Sequence, residues 1–141
     1  MTGPERPLRL LLVDDHEVVR QGLAALLARR PAFQVVAEAS TVAEALALIQ
    51  STDQSLDMLF TDINLGAEIA GGLELGQAFA VARPKSPVLY TTARGVTEGM
   101  VAMFVEPRSF IGKPYTAQRL LTAVRNLLDA NAASSYFPAQ N

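Results

Sequence analysis

The arrangement that most constrains this chain is a set of short, nearly unbroken apolar runs, each ending in a residue able to do chemistry. Leu10, Leu11, Leu12 and Val13 run into Asp14 and Asp15, and Met58, Leu59 and Phe60 run through Thr61 into Asp62. Val88, Leu89 and Tyr90 run through Thr91 into Thr92, and Phe110, Ile111 and Gly112 run into Lys113 and Pro114. A strand that is apolar along its whole length is covered on both faces, the condition of a parallel sheet flanked by helices. In such sheets ligands collect beyond the carboxyl ends of the strands. Three carboxylates, a hydroxyl and an ammonium gathered in one crevice suit a divalent cation and a phosphoryl group.

Between the runs the apolar period changes from continuous to helical, which is the signature of repeated strand–helix units. Strands are predicted over 8–13, 34–39, 56–61, 87–92 and 109–112. Asp15 is expected to cap a first helix whose inner face carries Val18, Val19, Gly22, Leu23, Leu26 and Leu27. Ser40 or Thr41 caps a second, with Val42, Ala45, Leu46 and Ile49 at the spacing of one helix face. A third follows the Gly-rich stretch 66–72 and covers 73–81, stopped before Pro84. Gly95, Gly99 and Pro107 interrupt the fourth, over 94–108, which is therefore expected to be short or irregular. Thr116 caps a fifth with Leu120, Leu121, Val124, Leu127 and Leu128 on one face. The fold class expected is α/β: a doubly wound five-stranded parallel sheet flanked by five helices, the flavodoxin-like (βα)5 arrangement. The reading divides the chain into an arm at 1–7, one domain at 8–130 and a flexible tail at 131–141.

Composition narrows the chemistry. The 141 residues, half of them apolar, suffice for one domain with a real core. There is no cysteine, which removes disulfides, thiolate catalysis and zinc–thiolate sites. The net charge of −2 offers no basic surface for nucleic acid, so direct DNA binding is not expected. No apolar stretch reaches the roughly 18 residues of a membrane span, and the first seven residues contain no apolar signal core. The expected location is cytoplasmic, without membrane association.

Among the polar residues, Asp14 and Asp15 repel each other unless something positive neutralises them. Asp62 is placed to accept a phosphoryl group, and a nearby cation would shield the incoming charge. Lys113 is one of only two lysines, and Pro114 restricts its backbone to extended geometry. His16, the one histidine, reads as a plain residue on the rim of the site, and Met100, Met103 and Phe104 as ordinary apolar filler.

Taken together, Leu12-Val13-Asp14-Asp15-His16, Thr61-Asp62-Ile63-Asn64-Leu65, Thr91-Thr92-Ala93 and Phe110-Ile111-Gly112-Lys113-Pro114 resemble the response-regulator receiver domain of two-component signalling, CheY-like and of single-domain type. The resemblance implies that Asp62 is the phosphoacceptor, and that Asp14, Asp15, Asp62 and the backbone carbonyl of Asn64 hold Mg²⁺ (or Mn²⁺). It implies that Lys113 and Thr92 bind phosphoryl oxygens, that Thr92 and Phe110 form the switch, and that Asn64 and Arg94 tune the rate of dephosphorylation. The partners implied are a sensor histidine kinase or phosphotransfer protein and a downstream protein target. The chain is then a monomer or a transient homodimer through the face of the fourth helix, fifth strand and fifth helix. Its only reactions would be self-phosphorylation from a phosphodonor and self-dephosphorylation, so it is not expected to be an enzyme.

Where receivers usually carry a Gly-Ala pair before the fifth strand, Val105, Glu106 and Pro107 stand here. Two alternatives share the fold: a receiver that binds partners without phosphorylation, and a fragment of a larger hybrid kinase or regulator. A haloacid-dehalogenase-like phosphatase would need an acidic residue where Asn64 stands.

Overall fold

Five strands, β1 (Leu8–Val13), β2 (Phe33–Ala39), β3 (Met58–Asp62), β4 (Val88–Thr92) and β5 (Arg108–Gly112), form one parallel sheet in the order β2-β1-β3-β4-β5. The computed structural model describes residues 7–51, 56–65, 71–84, 86–92, 108–112 and 116–136, without the side chains of 92, 108–110 and 128–136. Four helices lie among them: α1 (Glu17–Ala28), α2 (Val42–Gln50), α3 (Gly71–Ala82) and α4 (Ala117–Tyr136). The expected five-stranded doubly wound sheet is therefore present. The helix expected over 94–108 lies outside the described residues, except that its last residue, Arg108, opens β5.

Strand pleating explains why the central runs are apolar without interruption. Side chains alternate between faces. Leu11, Val13, Leu59, Val88 and Tyr90 enter one apolar cluster with residues of α2 and α3. Leu10, Leu12, Met58, Phe60, Leu89 and Ile111 enter a second with Leu23, Leu27, Leu120, Val124 and Leu127 of α1 and α4. Both faces of β1 and β3 are thus sealed from water. Truncating a fully buried residue such as Leu12 to Ala would cost about 2–5 kcal/mol.

The second and last helices start as their sequences suggest. Thr41 Oγ1 accepts the Glu44 N–H at 3.1 Å, and Glu44 Oε1 accepts the Ser40 N–H at 2.8 Å. Thr116 Oγ1 accepts the Arg119 N–H at 3.1 Å. α4 continues to Tyr136, well into the span assigned to the tail. Ala132 and Ala133 favour helix, and the first residue that cannot extend one is Pro138.

α1 departs from expectation. Leu23 and Leu27 are buried, but Val18 is 82% exposed, Val19 38%, and Gly22 is also exposed. The helix begins just past the end of β1, so its first turn rises beyond the sheet, and only from Leu23 onward does it lie over apolar side chains. Periodicity marks a helix face; it does not mark where the sheet beneath that face stops.

Candidate metal and phosphoacceptor site

The chain leaves β1 for β2 on one side of the sheet and later places β3 on the other, so the β1–β3 boundary is the point where the winding reverses. Crevices form at such points. Val13 pairs with Thr61, so Asp14 and Asp62 emerge side by side from neighbouring strands. Both are buried, at 2% and 5% exposure. The backbone around them is tied down: the Asp14 N–H donates to the Ala39 carbonyl at 3.1 Å, and the Ile63 N–H to the Thr91 carbonyl at 2.8 Å.

α3 is pressed against the same point. The Gly72 N–H donates to the Ile63 carbonyl at 2.7 Å. A Cβ at position 72 would overlap the Asp62 carbonyl and stand 2.8 Å from Ile63 Cα, so only glycine permits this approach.

Asp15 does not cap α1 as its position suggested. His16 occupies the cap position and makes no side-chain cap bond. Instead Asp14 Oδ1 accepts the His16 N–H at 2.9 Å. His16 Nδ1 stands 3.3 Å from Asp14 Oδ1 and 3.3 Å from Asp15 Oδ1. One ligand-capable atom from each of Asp14, Asp15, His16 and Asp62 lies within 4.8 Å of the others. The three carboxylates among them are the hard oxygen donors that Mg²⁺ takes, and a divalent cation would relieve their mutual repulsion. The donor set therefore fits the cation that the sequence pattern implied.

Asn64, half-buried, sits in the bend directly after β3. Thr92 ends β4 opposite Gly112, and Phe110 pairs with Tyr90, placing both backbones at the neighbouring strand ends. Their side chains, and the whole of Lys113 and Arg94, lie outside the described residues.

His16 stands at the rim as expected, 66% exposed, with Nδ1 turned toward two of the carboxylates. One participant escaped the sequence reading. Arg20, one turn into α1, donates from NH1 to the Asp14 carbonyl at 2.7 Å and from Nε to Glu38 at 3.1 Å. The guanidinium thus braces the backbone of Asp14 against β2. A lone arginine one turn into a largely apolar helix was the only signal for it.

The sequence profile of the response regulator receiver domain matches residues 10–125. The chain is 33% identical over 135 residues to the DNA-binding transcriptional activator DevR/DosR of Mycobacterium tuberculosis, covering 91% of this chain and 60% of that protein. It is 30% identical to the sensory transduction protein LytT of Enterococcus faecalis, covering 83% of this chain and 46% of the relative. The chain therefore spans about half the length of the curated relatives it matches. Among solved structures, a response regulator receiver protein from Sinorhizobium medicae superposes with a TM-score of 0.77 at 24% identity. That match covers 89% of this chain and 97% of the other, and bears on the fold alone.

Proposed function

Because the chain belongs to the response regulator receiver domain family, we propose that it is a phosphoacceptor switch in which Asp62 takes a phosphoryl group in a cation-dependent reaction. The observation that carries this reading is the placement of Asp14 and Asp62, both buried and adjacent at the strand ends, with Asp15 beside them. Burying like charges together is costly unless a cation accompanies them.

In this reading Asp14, Asp15, Asp62 and the Asn64 carbonyl would hold Mg²⁺, which when bound would supply positive charge to offset that of the phosphoryl oxygens. A carboxylate oxygen of Asp62 attacks phosphorus of a phosphohistidine. The new P–O bond forms as the P–N bond breaks, and its electron pair returns to the donor's imidazole nitrogen. Burial excludes bulk water, and the Thr91 and Gly72 hydrogen bonds fix the backbone just beyond Asp62, so the attacking oxygen keeps its aim. The acyl phosphate adds negative charge and strong acceptor oxygens. Thr92 and Lys113 are assigned to satisfy those oxygens, with Phe110 following Thr92 to alter a protein-binding surface.

The proposed donor is a sensor histidine kinase or phosphotransfer protein and the output is a protein contact, in the cytoplasm, by a monomer or transient homodimer. The DNA binding in one relative's name belongs to a protein of which this chain spans 60%. Among the described residues no helix is long and apolar enough to cross a membrane. Beyond its own phosphorylation and dephosphorylation, no turnover is assigned to the chain.

Intact mass after incubation with Mg²⁺ and acetyl phosphate tests this, with Asp62→Asn and Mg²⁺-free samples alongside. One phosphoryl adduct on the native chain, missing from both controls, is expected. The lack of an adduct, together with no binding of beryllofluoride, would point instead to a receiver that works without phosphorylation.

A further inference from the structure

The His16 side chain is 66% exposed, yet one of its ring nitrogens is turned toward the acidic cluster. Nδ1 is equidistant, at 3.3 Å, from one oxygen of Asp14 and one of Asp15. A charge-assisted hydrogen bond from imidazole to carboxylate closes to about 2.7–2.9 Å. The ring is therefore seated on neither oxygen. A separation near 3.3 Å is instead what two atoms show when each lies about 2.1 Å from a shared ion at an angle between the octahedral and the tetrahedral values. The backbone supports the placement, because the His16 N–H is held by Asp14 Oδ1 at 2.9 Å and the Arg20 N–H donates back to the His16 carbonyl at 2.9 Å. Residue 16 is thus anchored on both sides of its Cα while its side chain reaches across the mouth of the acidic cluster.

We propose that His16 is a cation-selecting residue: its Nδ1 joins the carboxylates as a ligand for borderline divalent cations of the Zn²⁺ class, while Mg²⁺ is held by oxygens alone. Imidazole suits such metals, whereas Mg²⁺ prefers carboxylate, carbonyl and water. The site then discriminates by which ligands an ion recruits. Mg²⁺ leaves the imidazole outside its shell, and a borderline ion draws it in. The inference rests on the reading of Asp14, Asp15 and Asp62 as a cation site, and its experiment separates the two.

Equilibrium titration calorimetry on the full chain near pH 8 would use Zn²⁺ and Mg²⁺ separately, on the native protein, His16→Gln and His16→Ala. Both substitutions are expected to weaken Zn²⁺ by at least about tenfold and to change Mg²⁺ by less than about twofold. Because the chain has one histidine, a ¹⁵N-imidazole spectrum reports it without assignment, and Zn²⁺ should move the Nδ1 signal far more than the Nε2 signal. Equal affinities across the variants, or a Zn²⁺ shift centred on Nε2, would overturn the assignment. So would tighter binding of both ions after His16 is removed, which would make the ring a counter-charge that competes with metal. If the native chain bound neither ion, the cation reading of the carboxylates would itself fall, and the role of His16 with it.

Discussion

α1 and α2 face the same task, starting a helix directly after a strand, and they solve it differently. At α2 the Thr41 hydroxyl accepts the Glu44 N–H, while the Glu44 carboxylate accepts the Ser40 N–H and hydroxyl. Every polar group there serves the helix. At α1 the cap position holds a histidine with no capping bond, the preceding carboxylates face one another, and Val18 and Val19 stand in solvent. Local rules are obeyed where a helix has only to be a helix, and set aside where the same residues must serve a site.

The contrast can be tested by exchanging what each end lacks. The largest effect is expected from Asp15→Asn. Cation affinity should fall at least on the order of tenfold by calorimetry, while the urea midpoint holds or rises because a like-charge contact is relieved. A drop in stability with unchanged affinity would mean that α1 begins as conservatively as α2. Thr41→Ala should do the reverse, lowering unfolding free energy by about 1 kcal/mol in urea and leaving cation affinity untouched.

A smaller gain is expected from His16→Ser, which offers the Val19 amide a capping oxygen. Stability should rise by about 0.5 kcal/mol, and any decrease would show that the histidine already performs a capping task. The least effect is the pH dependence of α2. Hydrogen bonds from the Ser40 backbone and then its hydroxyl hold the exposed Glu44 carboxyl below its ordinary value of 4.5. Its contribution is therefore complete above that value and is lost as pH falls through the lowered folded-state value. Urea midpoints followed from neutral to acid pH should decline less in Glu44→Gln than in the native chain.

Much of this was legible in the residues. β1 and β3 declared themselves because a strand sealed on both faces leaves no room for polar alternation, and their terminal aspartates stood out against that background. The caps at Thr41 and Thr116 were readable because a cap is a local bond. What could not be read were relations between distant segments. Val18 and Val19 satisfy the helical period but project past the sheet. The orientation of the His16 ring depends on how β1 hands over to α1, and Arg20 acquires its role only once β2 brings Glu38 alongside. Likewise the β1–β2 ladder shifts register between Leu10 and Leu11, leaving Val36 without a partner, and no turn residue announces it.

The approach of Gly72 to the Asp62 carbonyl has a consequence for how chains of this kind are recognised. Adding a single methyl group at 72 would displace the acceptor's backbone while every carboxylate, hydroxyl and ammonium remained in the sequence. Such a chain would carry a complete set of reactive side chains and still be silent. Whether a relative with the full motif is alive therefore depends partly on a position that has no side chain at all.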